Sequence, residues 1–365
     1  MTRPTAYLNP MPVRGRIARP QPKGLPIINM GFNELPYPAL PAVETALRAA
    51  SAQVQSYGTP YCDALRKELA DVNGIDADNI VCGNGSEELL DLVTRVFARP
   101  GDEVLISENG YIHFSLATNR VGATLVKAPE TDLKTDVDAL LARASQRTKV
   151  VFLANPNNPT GTSLPVSELR RLADNLPEQA VLVLDLAYGE FWGEAHCKAV
   201  HGFVSGYDNV LVTRTFSKAY GLAGVRVGWC HGPDWMVPLI YAARGMGTVN
   251  ALGQAAATAA LSELDLVRAR TAELTRERER LRSALQSLSF EVAPSDTNFL
   301  MLRHSQASPE TTERLVEHLF DDAGIIVNRT REAGLESYFR FSLSLPDHND
   351  LLLNSVQSHL KAGGS

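Results

Sequence analysis

From residue 79 to about residue 230 the chain alternates short apolar runs with amphipathic stretches of helical length, and few folds accept that alternation. The run at 79–83 (NIVCG) precedes a helical pattern at 86–98, and the turn Arg99-Pro100-Gly101-Asp102 leads into 103–107 (EVLIS). Further runs occupy 123–128, 149–154, 180–185, 210–215 and 225–230, with helical text beginning at Asp136 and at Ser167. A short run that is apolar throughout, without alternation, fits a strand buried on both faces. Strands separated by helices build a mostly parallel sheet covered on both sides. The predicted fold class is α/β.

After about residue 234 the pattern changes. Helical text runs to Ser287, and its charged part (268–282) reads as a solvated face with i,i+4 pairs. Isolated strands and helices then alternate through NFLML, GIIV and FRFSLS to a last helix from Asp347, which describes a smaller α+β unit. The expected divisions are 1–30, 31–255 for the large domain and 256–365 for the small one. Pro4, Pro10, Pro12, Pro20, Pro22 and Pro26 exclude a helix from the first segment. An extended arm and a disordered tail both fit it.

Composition removes several function classes. The 35 Lys+Arg against 41 Asp+Glu leave a net charge of −6, which is no footprint for nucleic acid or anionic lipid. The uncharged run 245–262, which no other uncharged run exceeds in length, is small-residue and polar, unlike the ~20 apolar residues of a membrane span. Prolines fill the place where a signal peptide has its apolar region. The 4 cysteines are widely spaced with no CxxC pair, and the 8 histidines form no HxxxH or HExxH set. Neither a disulfide framework nor a metal site is expected, and a reducing cytoplasm is.

In open α/β sheets ligands gather beyond the carboxyl ends of the strands. Gly83-Asn84-Gly85-Ser86-Glu87-Glu88 leaves a strand and opens a helix. The amides of Gly85, Ser86 and Glu87 can cradle a phosphate there, and a helix cap formed by Ser86 explains the same residues. The loop 155–161 (NPNNPTG) is a rigid turn in which cis X-Pro bonds are expected, and its three asparagines offer amide donors. Asp185 ends an apolar run, and a carboxylate buried there needs a partner; a helix-capping role is the alternative. Within 213–229 (TRTFSKAYGLAGVRVGW), Lys218 follows a strand and Arg226 lies 8 residues on. A lysine in an apolar pocket loses its proton readily and attacks carbonyl carbon; a solvated surface lysine is the competing reading. Thr215, Ser217 and Arg226 together can hold a phosphate dianion.

In this order and at these distances, GNGSEELL, NPNNPTG, DLAY and Ser217-Lys218 with Arg226 resemble the fold-type I pyridoxal-phosphate enzymes. Within them, the chain is most similar to the class I and II aminotransferases, over about residues 30–360. GNGSEELL and DTNFL look most like the histidinol-phosphate aminotransferase branch. The resemblance implies a seven-stranded sheet with a smaller C-terminal domain, and pyridoxal 5′-phosphate as cofactor. It implies that Lys218 binds the cofactor covalently and moves the substrate's proton. By the same resemblance Asp185 faces the ring nitrogen, and Asn158 and Tyr188 face its phenolic oxygen. Gly85, Ser86, Glu87, Thr215, Ser217 and Arg226 form the phosphate cup. Tyr111 stacks on the ring, an ordinary core tyrosine being the alternative. Tyr57 is lent to a neighbouring subunit, which implies a homodimer. Arg340 binds the substrate's anionic group, with a structural salt bridge as the rival account. Asn33, beside Glu34, and Asn298 of DTNFL complete the substrate side.

The implied reaction is ping-pong amino transfer from a small-molecule donor to a 2-oxo acid such as 2-oxoglutarate. The donor stays open between histidinol phosphate and an amino acid, aromatic ones included. The branch usually has an arginine where this chain has Asn328, followed by Arg329. It usually has a Pro-aromatic-Asn where Met246-Gly247-Thr248 stand, and aromatic residues that the first segment lacks. A decarboxylase resembling threonine-phosphate decarboxylase would use the same Lys218, Asp185 and Arg226. A nicotinamide-dependent dehydrogenase would need GxGxxG after the first strand, which is absent. Lys218 and Asp185 speak against an inactive cofactor-binding protein.

Overall fold

The computed structural model describes residues 22, 24–246, 249–330 and 332–363. Most of the segment 1–30 therefore lies outside the described residues, as do Gly247 and Thr248. The apolar runs form β1 (Ile80–Gly83), β2 (Glu103–Ser107), β3 (Thr124–Ala128), β4 (Thr148–Ala154), β5 (Val181–Asp185), β6 (Val210–Thr215) and β7 (Gly228–His231). They make one seven-stranded sheet in the order β1-β7-β6-β5-β4-β2-β3. Strands β2 to β6 pair in parallel, whereas β7 is antiparallel to both β1 and β6, so the sheet is mixed. Its inner strands are largely apolar because both faces are covered, whereas the edge strand β3 exposes Thr124 and Lys127. In β5, Leu182 and Leu184 enter one core cluster, Val181 and Val183 another. Each such side chain contributes about 1.5–3 kcal/mol by leaving water.

The run at 225–230 starts its strand later than its apolar text suggests. Ala223–Val225 is a short 3-10 turn, and Arg226 adopts φ 56° in the left-handed region. Close packing explains the shift. A Cβ on Gly228 would lie 2.3 Å from the Ser86 amide nitrogen, so only glycine lets the loop after β1 rest on β7. The pairing register then gathers every loop of interest. Gly228 is opposite both Gly83 and Thr215, and Asp185 is opposite both Ala154 and Thr213. The end of β1, β4, β5 and β6 and the start of β7 share one edge.

The C-terminal part carries an antiparallel sheet of β8 (Phe290–Val292), β9 (Phe299–His304), β10 (Asn328–Arg329) and β11 (Phe339–Ser342), in the order β8-β9-β11-β10. A 24-residue helix, Leu264–Ser287, precedes it. Its charged stretch is not wholly a solvated face. Arg278 is buried and donates from Nη1 to the Thr297 carbonyl at 3.1 Å, so it ties the helix to the turn before β9. Ile28–Asn29 pairs in parallel with Ile325–Ile326, and the Ser342 amide donates to the Met30 carbonyl at 2.6 Å. These bonds carry residues 32–34 across the sheet edge.

Away from that edge, His201 and His231 are both buried, with their Nδ1 atoms 3.2 Å apart, and His201 stacks on Trp229. Burial holds His201 well below the ordinary histidine value, with Arg214 adding to it, and lowers His231 to about 4. The unfolded chain takes up these protons near pH 6.5 and the folded chain only below that. Stability should therefore fall as pH drops from about 6.5 toward 4, by up to ~1.4 kcal/mol per pH unit for each histidine. Urea midpoints across this range should show the slope, and His231→Gln should make it shallower; parallel slopes would refute the assignment.

Candidate active site

A cavity of about 330 Å³ opens at the shared strand edge. Of the residues picked from sequence, Ser86, Glu87, Tyr111, Asn158, Asp185, Tyr188, Thr215, Ser217, Lys218 and Arg226 line it. Lys218 projects from the loop after β6, its Nζ 3.4 Å from the carbonyl oxygens of Phe32 and Asn33 and 5.7 Å from the centre of the Tyr188 ring. Burial is the main reason its pKa falls to about 8, with Arg340 pushing the same way. A substantial neutral fraction near pH 7–8 follows, as an amine nucleophile requires.

Asp185 closes β5 at the cavity floor. Its Oδ1 accepts from Thr213 Oγ1 at 2.9 Å, and burial raises its pKa to about 6 against that bond. Sequence reading missed Thr213. The available signal was its polarity within the apolar run of β6, directly opposite Asp185 in register. A capping role for Asp185 does not apply, because no helix starts on it: the short helix Gly189–Trp192 is preceded by Tyr188.

At the other end, Thr215 Oγ1 donates to Ser217 Oγ at 3.0 Å, and Arg226 Nη1 lies 3.3 Å from the same Ser217 Oγ. The helix Ser86–Phe97 points its start here, and its first-turn amides have no intrahelical acceptor. Two expectations change. Gly85, at φ 81°, is the residue before the helix, so Ser86 is no cap. The Gly85 amide is already given to the Gly83 carbonyl at 2.8 Å, which leaves Ser86 and Glu87 as the amides for an anion. Gly85 matters through its missing side chain instead, since a Cβ there would sit 2.5 Å from Arg226 Nη2.

Of the three loop asparagines, only Asn158 faces the cavity. Asn155 donates to Leu164 O and Asn157 to Asn109 O, which holds the turn together. Both expected X-Pro bonds, Asn155-Pro156 and Asn158-Pro159, are cis. Asn158 Oδ1 accepts from Arg340 Nη1, which occupies its acceptor end and leaves its NH₂ group as a donor. Arg340, buried on β11, also donates from Nη2 to Gly31 O at 3.2 Å and lies over the Phe299 ring, while its Nε has no partner. No carboxylate pairs with it among the described contacts, so the salt-bridge account gains nothing.

Asn33 and Asn298 act behind the cavity wall. Asn33, at φ 56°, donates from Nδ2 to the Tyr188 phenol oxygen at 2.7 Å, and its amide donates to Ser342 Oγ at 2.7 Å. Asn298 is fully buried and donates to the Asn33 carbonyl at 3.1 Å. Within this chain it therefore steadies Asn33 and does not line the cavity. Phe32 and Glu34, which flank Asn33, do line the cavity. Tyr57 is 99% exposed and takes no part in the cavity of its own chain.

The family model for aminotransferase class I and II matches residues 26–354. The chain belongs to the class I and II aminotransferases. Histidinol-phosphate aminotransferase of Erythrobacter litoralis is 38% identical over 344 residues, covering 93% of this chain and 92% of that protein. The enzyme of that name from Maricaulis maris is 37% identical over 318 residues, 87% of each chain. The solved structure of histidinol-phosphate aminotransferase from Sinorhizobium meliloti in complex with pyridoxal-5′-phosphate superposes with a TM-score of 0.87 at 30% identity, covering 92% of this chain and 90% of that one. L-threonine-O-3-phosphate decarboxylase from Porphyromonas gingivalis shares the fold at a TM-score of 0.79 and 24% identity, covering 92% of this chain and 100% of that one. That likeness is one of fold alone; the family match and the relatives show an aminotransferase. In this aminotransferase Arg329 is committed elsewhere, to Glu313 and to the carbonyls of Thr330, Tyr338 and Pro309. Asn328 donates to Gly31 O at 3.4 Å.

Proposed function

We propose that this aminotransferase uses pyridoxal 5′-phosphate to move an amino group from histidinol phosphate to a 2-oxo acid such as 2-oxoglutarate. The observation that carries the cofactor is the convergence of Lys218, Asp185 and Arg226 on one cavity, each with the chemistry its end requires. Arg226, the Thr215 and Ser217 hydroxyls and two helix amides suit a phosphate. A buried carboxylate at the floor suits a protonated ring nitrogen, and an amine of lowered pKa between them suits an aldehyde carbon. Once bound, such a ring withdraws electrons from the substrate carbon. The relatives at 37–38% identity support the choice of donor.

Within that frame the chain's own groups have separate tasks. Asp185 would keep a proton on the ring nitrogen. The Asn158 NH₂ and the Tyr188 hydroxyl, held by Asn33, orient the ring through its oxygen. Lys218 Nζ takes the proton from the substrate carbon and returns it, which its pKa of about 8 allows near neutrality. Arg340, with Nε unused, receives an anionic group of donor and acceptor in turn. Tyr111, which lines the cavity, would cover one face of the ring. Tyr57, wholly exposed, reaches the phosphate of a second copy, and the working unit is a homodimer.

A second reading, an amino-acid donor, is favoured by Arg329, whose guanidinium is spent on Glu313 and backbone oxygens. Single-turnover mixing separates the readings. Histidinol phosphate should convert the bound cofactor to its amino form, seen as loss of the visible band, faster than any amino acid. Conversion by an amino acid alone would transfer the role to that donor, and carbon dioxide release without the amino form would establish decarboxylation.

A further inference from the structure

Glu87 enters the phosphate cup through its backbone amide, yet its carboxylate lies in the same place. Oε1 accepts from the Tyr111 hydroxyl at 2.6 Å, and Oε2 is 3.3 Å from Arg226 Nη2. The Arg226 guanidinium is thus shared between Ser217 Oγ, the Ala223 carbonyl and Glu87. Behind Glu87 an open polar cavity of about 440 Å³ continues past His113 and Asp91. His113 Nδ1 lies 3.9 Å from Glu87 Oε1, and His113 Nε2 lies 3.3 Å from Asp91 Oδ1. The Glu87 side chain is 41% exposed and has room to turn.

A carboxylate on Nη2 and a phosphate dianion beside Ser217 at Nη1 would share one guanidinium and repel each other. We propose that the Glu87 carboxylate is a built-in competitor for the cofactor phosphate. With the cup empty it neutralises Arg226 and keeps it aimed at Ser217. When phosphate enters, Glu87 releases Arg226, keeps the Tyr111 hydroxyl and turns toward His113. Its side chain therefore lowers cofactor affinity below what the cup alone provides, while it positions the two residues that meet the cofactor's phosphate and ring. The inference rests on the reading of this cup as the phosphate site.

Glutamine at 87 keeps an acceptor for Tyr111 at the same length and removes the charge. Cofactor-free protein should be titrated with pyridoxal 5′-phosphate by absorbance, and with inorganic phosphate by competition. Glu87→Gln should bind both about 5- to 20-fold more tightly than the wild type, with an unchanged thermal midpoint confirming the fold. Equal or weaker binding of both ligands would overturn the competitor role. Arg226→Ala tests the underlying reading separately and should weaken both ligands at least ~10-fold. If Arg226→Ala leaves phosphate binding unchanged, the cup itself is misread. If it weakens binding while Glu87→Gln does not strengthen it, only the role of Glu87 falls.

Discussion

Lys218→Ala should lower turnover by ~10²–10⁴-fold, the loss expected when the group that moves the proton is removed. The fold should survive, because the amine holds little in place: two carbonyls at 3.4 Å and the Tyr188 ring at 5.7 Å. Without cofactor the variant should be more stable than the wild type near pH 7. The unfolded chain holds this proton up to about pH 10.5, and the folded chain releases it near 8. Below pH 8 both states are protonated and the folded one bears the full cost of the charge. That cost disappears as pH rises from 8 to 10.5, since the unfolded state then binds more protons. Removing the amine should gain on the order of 1–2 kcal/mol at pH 7, discounted because Lys218 lines an open cavity. Turnover assays, urea melts at two pH values and borohydride reduction of the loaded enzyme check this together. The cofactor's mass should remain on the peptide holding Lys218 in the wild type and be absent from the variant. Turnover above one-hundredth of the wild type would remove Lys218 from the reaction.

Asp185→Asn should cost ~10²–10³-fold in turnover, in the range for loss of one preorganised electrostatic group. Its effect on stability should change sign with the cofactor. The Asp185 carboxyl titrates near 6 in the folded chain against an ordinary 3.8, so the folded state holds its proton longer than the unfolded one. The stability linked to that proton is present below pH 3.8 and is lost as pH rises through 6, where burial of the bare carboxylate costs most. At pH 7.5 the cofactor-free Asn variant, which keeps an acceptor for Thr213, should melt above the wild type. With pyridoxal 5′-phosphate present the order should reverse, because only the carboxylate attracts a ring nitrogen cation. Melts with and without cofactor read this directly, and an Asn variant less stable in both states would contradict it.

The α/β class, the order of the strands in sequence and most cavity-lining residues were legible in the chain. Lys218, Asp185 and Arg226 each stand beside an apolar run at a strand end, but a surface lysine and a capping aspartate fit that placement too. It was the order and spacing of their motifs, with Asn158 in NPNNPTG, that singled the four out. Less legible was the start of β7, since Val225 and Val227 read as strand whatever Arg226 does. The close approach of Gly228 to Ser86 decides it. Gly85 was chosen for its amide and contributes its lack of a Cβ. Asn298 was expected at the substrate; within this chain it bonds Asn33 and does not line the cavity. Arg278 sits in a charged helix that looks solvated, and its burial depends on the turn at Thr297 packing against it.

The sequence by itself determined which groups stand at the strand ends, because strand, turn and helix-start preferences act over a few residues and leave their pattern in local spacing. Tertiary structure alone decided what those groups touch. The Asn33–Tyr188 bond joins residues 155 apart, and the Arg340–Asn158 bond joins residues 182 apart. Arg226 meets Glu87 across 139 positions. Contacts of that separation are set by strand pairing and by the packing of the C-terminal sheet over the shared edge, and neighbouring residues carry no trace of them.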